Sequence, residues 1–399
     1  MNSHHARIAI VGGGLSGLYA AYLLEQRGIT DYIVLEAREN LGGRIVSQVY
    51  PQRDPSTEGN GSSFDLGPSW FWAEYQPQLD QLVRDLQLDC HEQYEIGQML
   101  VEHRVDNPVM AIAGYTSSPP SMRLFGGMGA LINALHSRLD PARIVMGHTV
   151  KRLRSENEKI HIASDDSKGK ITTWITEHVL LAMPPRLVAS RIDFFPELPK
   201  DLCASWSATD TWMAPHAKYF AIYEKPFWRD LGLSGQGRSR VGPMAEIHDA
   251  SVQDGLAALF GFIAVPALVR SNMSDAQLKA LCRTQLARMY GEQADSPVHE
   301  LLQDWALEPF TATQADLTSA GRHVKPPKAT VDSGLWAGRI TGIASEWSPQ
   351  FAGYLAGAVD AAANGVEALK LSASAERGAS AVCDTMQSNQ PEQLSVTPE

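Results

Sequence analysis

At 399 residues, 44% of them hydrophobic, the chain is long enough to bury a large core and to divide into two domains. Lys and Arg total 34 against 45 Asp and Glu, a net charge of −11; with no basic cluster to neutralise phosphates, no nucleic-acid partner is expected. Residues 256–265 and 179–183, the longest apolar stretches, are too short to cross a bilayer, the six residues before Arg7 leave no room for a cleaved signal, and Cys90, Cys203, Cys282 and Cys383 are scattered, so the expectation is a cytoplasmic protein with reduced thiols, no membrane partner and no metal site.

The apolar run Ile8-Ala9-Ile10-Val11 opens into Gly12-Gly13-Gly14-Leu15-Ser16-Gly17 and a helix-like stretch. A second run, Tyr32-Ile33-Val34-Leu35, ends on Glu36. Strand, glycine turn, helix and strand in this order predict a dinucleotide cradle in a parallel sheet. Gly12 permits the tight turn, Gly14 lets backbone approach a pyrophosphate, and Gly17 lets the helix pack close to the sheet with its N–H groups aimed at the phosphates. Glu36 is placed to accept hydrogen bonds from the ribose hydroxyls. Its charge repels a 2′-phosphate, favouring FAD or NAD over NADP.

Leu41-Gly42-Gly43-Arg44 then completes the pattern Glu36-Ala37-Arg38-Glu39-Asn40-Leu41-Gly42-Gly43-Arg44. The pattern resembles the flavin amine oxidase family, the FAD-dependent group that includes monoamine oxidases, polyamine oxidases and L-amino-acid oxidases. Glycine N–H groups and a charge-assisted contact from Arg44 suit a diphosphate. The resemblance implies a cofactor-binding set that includes Leu15, Ser16, Ala37, Arg38 and Gly43.

Further along, 51–62 reads as a surface loop. Phe64-Asp65-Leu66-Gly67-Pro68-Ser69-Trp70-Phe71-Trp72 matches the family segment beside the flavin ring, which implies that Gly67, Pro68, Ser69 and Trp70 touch it. Leu79, Leu82, Val83 and Leu86 at helical spacing predict a short helical insert over 76–121; larger members of the family it resembles have a much longer insert here, so the resemblance implies a smaller substrate domain and a more open pocket. Arg123 to Leu131 resembles a second glycine motif that starts a helix with Leu131, Ala134 and Leu135 on one face. Strand-like segments at 143–146, 150–153, 159–163 and 172–176 predict an antiparallel meander, in which Val150 matches a position whose backbone contacts adenine. His178 to Pro185 resembles a family strand that ends in a Pro-Pro turn.

Residues 217–223 and 257–263 suit strands, and 275–290 suits a helix. The chain returns to the cofactor near Trp305, a strand is expected at 339–343, and Ala344 to Ala358 resembles the last FAD motif, with Glu346 among the contacts and a helix to about 371. Ala344 and Trp347 depart from the glycine and threonine usual there. Residues 372–399 read as a disordered tail. The expected fold is α/β: a Rossmann-like FAD-binding domain (1–75, 123–199 and 305–371) with a mixed central sheet, helices and an antiparallel meander, plus an α+β substrate domain from the inserted segments 76–122 and 200–304.

The resemblance implies hydride removal from the carbon beside an amine nitrogen, with O2 as the final acceptor and H2O2 as a product. Lys218 matches the family lysine that holds a water near flavin N5, and Tyr354 matches one wall of an aromatic cage around the amine. The helix after Tyr354 would turn its positive end to the flavin. In monoamine oxidases the second cage ring follows a cysteine that tethers the flavin; the matching stretch 305–313 contains neither cysteine nor tyrosine, so the resemblance implies noncovalent FAD through this region, with Phe310 or Trp305 as the second cage ring. His216 and His248 take no role in this reading. An FAD-dependent desaturase or dehydrogenase, an L-amino-acid oxidase and a non-catalytic flavin-binding module remain open, as do the amine and the oligomeric state.

Overall fold

A computed structural model describes residues 3–51, 61–319 and 325–369. Its central sheet is five-stranded and parallel, in the order Ile144–Val145, Tyr32–Leu35, Ile8–Val11, His178–Leu181, Ile340–Gly342. Both faces are covered, which is why these strands read as unbroken apolar runs. Ile8, Ile10, Val34 and Leu180 face the helices Leu15–Gln26 and Leu355–Glu367, while Ala9, Val11, Ile33, Leu35, Val179 and Leu181 face the opposite layer.

That layer is a second five-stranded sheet. Thr149–Glu156, Lys159–Asp165 and Ile171–Thr176 form the antiparallel meander, flanked by Ser3–His5 and Asp193–Phe195 in parallel. The segment near 143–146, expected in the meander, instead contributes Ile144–Val145 to the edge of the central sheet, beside Val34 and Leu35. A two-residue apolar run carries no mark of which sheet edge it will extend.

The third sheet has seven strands: His299–Asp304, Ala217–Tyr223, Ala257–Ile263, Met244–Asp249, Leu233–Ser239, Gln98–Glu102 and Met110–Ala113. Helix Asp275–Tyr290 covers one face through Leu278, Cys282, Leu286 and Met289. Its start is fixed by a reciprocal cap between Ser274 and Gln277. On the other face Phe220, Ile222 and Phe260 pack with Phe64 and Leu66.

Several expectations need correction. The 76–121 insert is helical only over Pro77–Asp85; Cys90–Glu92, Gln98–Glu102 and Met110–Ala113 are strands, the last two extending the seven-stranded sheet. Leu79, Leu82, Val83 and Leu86 bury into the cluster around Leu18 and Val359, so that helix packs with the cofactor half. So does helix Lys200–Ala208, through Trp206. The last helix ends at Glu367, short of 371. Most of the 51–62 loop, Cys383 and the 372–399 tail lie outside the described residues, although Ser62 opens a strand, Ser62–Asp65, paired with Ser47–Tyr50. Cys90, Cys203 and Cys282 are free thiols. Among the described residues no helix is long and apolar enough to cross a membrane, and no His, Cys, Asp and Glu group could hold a metal ion.

Candidate active site

The glycine turn has the geometry its sequence implies. Gly12 has φ 114°, and a Cβ there would lie 2.7 Å from the Ala182 carbonyl oxygen. A Cβ on Gly17 would lie 2.0 Å from the Gly12 oxygen, so Gly17 serves helix–sheet packing. A Cβ on Gly14 would meet nothing closer than 3.6 Å. Helix Leu15–Gln26 has no side-chain cap, and Leu15 and Ser16 of its first turn line a cavity of about 1320 Å³. Uncapped N–H groups at such a mouth suit an anion.

Glu36, 3% exposed, accepts from Gly13 N–H at 2.6 Å and Arg38 N–H at 2.8 Å. Arg38 pairs with Glu308 at 3.3 Å and lies over the Phe310 ring at 5.3 Å. Arg44 donates to both oxygens of Glu346 and to Ser345 Oγ. Gly12, Gly14, Leu15, Ser16, Glu36, Ala37, Arg38, Gly43, Arg44, Gly67, Pro68, Ser69, Trp70, Val150, Lys218, Trp305 and Tyr354 all line the same cavity. Gly17 and Glu346 do not: Gly17 is packed behind the turn, and Glu346, 1% exposed, grips Arg44. Val150 sits where the meander's register shifts, between Val150 and Arg152. Trp347, where the motif departs, occupies the space a side chain at Gly342 would need and meets Trp206 edge-on at 5.5 Å.

Lys218 lies on an interior strand, between Ala257–Ile263 and His299–Asp304, and is 3% exposed. Its Nζ donates to the carbonyls of Asp65 and Gly67 and meets Ser69 Oγ, each at 2.8 Å. The Phe260 ring centroid is 4.4 Å from Nζ. Burial pulls the lysine down to about 7, with the Asp65 carboxylate opposing that shift. Burial in turn raises Asp65, whose Oδ1 accepts from Ser47 Oγ at 2.6 Å and Met128 N–H at 2.8 Å. A neutral Nζ fits the three contacts if the Ser69 hydroxyl donates to it.

Tyr354 stands at the N-cap position of helix Leu355–Glu367, without a side-chain capping bond, and meets the rings of Trp212 at 4.8 Å and Trp72 at 6.5 Å. Phe310 is not the second cage ring, because it lies under Arg38 at the Glu36 end. Trp305 Nε1 is tied to the Leu66 carbonyl at 3.2 Å. The rings beside Tyr354 are Trp212 and Trp72, neither of which the sequence singles out for that place. The period-two placement of Trp70 and Trp72 was the available signal; Trp212, in a loop, gave none.

The sequence profile described as "Flavin containing amine oxidoreductase" matches residues 112–369, and that of the "NAD(P)-binding Rossmann-like domain" matches 10–86. A probable flavin-containing monoamine oxidase A of Dictyostelium discoideum is 27% identical over 247 residues, 60% of this chain and 51% of that protein. Putrescine oxidase of Kocuria rosea is 27% identical over 227 residues, 54% of this chain and 47% of that protein. An L-amino acid dehydrogenase of Synechocystis sp. is 26% identical over 260 residues, 62% of this chain and 50% of that protein. The chain thus spans about half the length of these curated relatives. In fold, a putrescine oxidase solved with putrescine superposes with TM-score 0.73 at 20% identity, covering 92% of this chain and 99% of that one. A cyclohexylamine oxidase from Brevibacterium oxydans gives TM-score 0.72 at 16% identity, covering 91% and 98%. With the profile spanning more than half of its length and the cofactor motifs on one cavity, the chain belongs to the flavin-containing amine oxidoreductase family.

Proposed function

We propose that this chain binds FAD without a covalent tether and oxidises amines, with O2 as the final electron acceptor. The observation that carries this reading is one cavity that joins the glycine and Glu36 cradle to an aromatic end holding Lys218 and Tyr354. The residues present fit the cofactor: an uncapped helix N-terminus opens on the cavity, Gly14 leaves room beside it, and the Glu36 carboxylate stands at its wall. Gly14, Leu15, Ser16, Gly43 and Arg44 would hold the diphosphate, and Glu36 the ribose. Val150 would meet adenine, and Gly67, Pro68, Ser69, Trp70 and Trp305 the ring system. Gly17 contributes through packing, and Glu346 through its grip on Arg44. No cysteine lines the cavity among the described residues, which supports a noncovalent complex.

When bound, FAD would supply the two-electron acceptor for a hydride equivalent from the carbon beside the amine nitrogen, with O2 taking the electron pair to give H2O2 and the oxidised amine leaving as an imine that water hydrolyses. The protein's task is to present the amine neutral and dry. Tyr354, Trp212 and Trp72 make an environment in which an ammonium group is poorly solvated, which favours loss of its proton. Lys218 clamps Asp65 to Ser69 in place while holding its own Nζ proton weakly. An amino-acid substrate would need a free cation for its carboxylate. Arg270 lines the cavity, but its guanidinium is engaged by Asp304, Pro215 and Val265, so it does not offer that cation. Free thiols agree with a reducing, cytoplasmic setting.

The test is direct. Acid precipitation of the purified protein should leave a colourless pellet and FAD in the supernatant, and amines should yield H2O2 in equal measure with carbonyl product. A yellow pellet would contradict the noncovalent complex. Oxidation of amino acids but of no simple amine would contradict the substrate reading.

A further inference from the structure

All three hydrogen-bonding directions of Lys218 Nζ are filled. Two lead to the carbonyl oxygens of Asp65 and Gly67 and the third to Ser69 Oγ, each at 2.8 Å. The rings of Phe260, Phe220 and Phe262, with centroids 4.4, 5.4 and 5.5 Å from Nζ, wall the other approaches. A carbonyl oxygen only accepts, so two Nζ protons stay with Asp65 and Gly67 in either state of the amine. What changes is the third contact. An ammonium donates to Ser69 Oγ, whereas a neutral amine accepts the Ser69 hydroxyl proton, so the Ser69 O–H reverses whenever Nζ gains or loses its proton.

Ser69 is 3% exposed and lines the same cavity as Lys218. Among the described residues its Oγ bonds to Nζ alone, which leaves its remaining hydrogen-bonding capacity for a group in the cavity. No ionisable side chain offers Nζ another route. The Asp65 carboxylate is held by Ser47 and Met128 N–H, and Arg123 reaches the Asp249 carbonyl at 3.5 Å. Glu246 lies across Phe262 and bonds to His248, which stacks on Phe260, and His216 stands two residues earlier on the cavity wall. With its proton affinity pulled down to about 7 by burial, Nζ both holds and releases a proton near neutrality.

We propose that Ser69 is the proton port of Lys218: its hydroxyl carries a proton from Nζ to the oxygen being reduced in the cavity. This rests on the reading of the site as an FAD-dependent oxidase. O2 becomes H2O2 by taking up one electron pair and two protons. The electron pair and one proton are those of the hydride equivalent stored on the reduced cofactor, and the second proton comes from Lys218. In that step an Nζ–H bond breaks as a new Oγ–H bond forms, and the Oγ–H bond already present breaks as an O–H bond of the peroxide forms. Lys218 is left neutral, with the Ser69 hydroxyl donating to it. A proton taken up from the cavity along the same path restores the ammonium.

The experiment uses FAD-loaded wild type, Ser69→Thr, Ser69→Val and Ser69→Ala, photoreduced under nitrogen with no amine present and mixed with O2 in a stopped-flow spectrophotometer from pH 5.5 to pH 9. NMR of the same proteins labelled with 13C-lysine, with and without FAD, follows Lys218, whose signal is identified by its loss in Lys218→Met. Wild type should reoxidise fastest below about pH 7 and slow as Lys218 titrates, and Ser69→Thr, which keeps the hydroxyl, should follow it. Ser69→Val, with the shape of Thr and no hydroxyl, and Ser69→Ala should reoxidise about a hundredfold more slowly at pH 6 and lose the pH step, while NMR still shows Lys218 titrating. A side chain that only packed, or a lysine acting by its charge alone, would leave the step in place. An unchanged rate or a retained step without the hydroxyl would overturn the assignment, as would a wild-type rate indifferent to the Lys218 titration. If Ser69→Val holds no FAD, the Ser69→Ala and Ser69→Thr pair decides. If photoreduced wild type does not react with O2 at all, the oxidase reading fails and this assignment fails with it.

Discussion

Lys218 concentrates the electrostatics of the site in one side chain. Its Nζ is buried among aromatic rings, and the pull down to about 7 from an ordinary 10.5 means that folding expels its proton over that range. Below about pH 7 the group is protonated in both the folded and unfolded chain. Between there and 10.5 the unfolded chain holds a proton the folded one has released, so rising pH favours the fold. The Tm of wild type relative to Lys218→Met should therefore increase from pH 7 to pH 9.5, by an amount equivalent to at most a few kcal/mol. A flat difference would mean that Nζ keeps its ordinary affinity for the proton. Two glycines make a second contrast. Gly17→Ala places a methyl 2.0 Å from the Gly12 oxygen and should leave little folded protein, whereas Gly14→Ala is tolerated by the backbone and should fold but retain far less FAD. Circular dichroism and bound-flavin content separate the two; full flavin retention by Gly14→Ala would deny the phosphate contact.

At the level of elements, what was legible followed from periodicity and from glycines. Ile8–Val11, Tyr32–Leu35 and Leu15–Gln26 could be read because buried parallel strands and a close-packed helix leave continuous apolar runs around Gly12 and Gly17. Helix Asp275–Tyr290 matches its expected bounds, since Ser274 and Gln277 mark its start. Ser274→Ala should cost about 1 kcal/mol, a fall in Tm of about 1–2 °C, with flavin content unchanged. A loss of flavin in that variant would mean that the far face of the seven-stranded sheet reports to the site. The insert after residue 76 was misread beyond Asp85, because Gln98–Glu102 and Met110–Ala113 are short strands whose burial depends on a distant partner, Leu233–Ser239. Trp212 was invisible for a related reason: it stands beside Tyr354 from a loop and leaves no local pattern.

For the whole molecule, the site lies where the cofactor half meets the seven-stranded sheet. Lys218 from that sheet holds Asp65, Gly67 and Ser69 of the other half, and Trp305 holds Leu66. A ligand that fills the space between them binds only the folded chain, so stripping FAD should lower the Tm, and adding it back at about 100 times its Kd should restore about 2.7 kcal/mol. An apoprotein as stable as the holoprotein, with FAD saturating, would place the cofactor outside this cavity. The decisive measurement is the visible spectrum of the yellow protein under nitrogen, recorded before and after an amine panel that includes 1,4-diaminobutane, and again in air. Loss of the flavin bands with at least one amine, followed by recovery with release of H2O2, is the expected result; flavin bands that no amine bleaches would contradict the assignment of this cavity to amine oxidation.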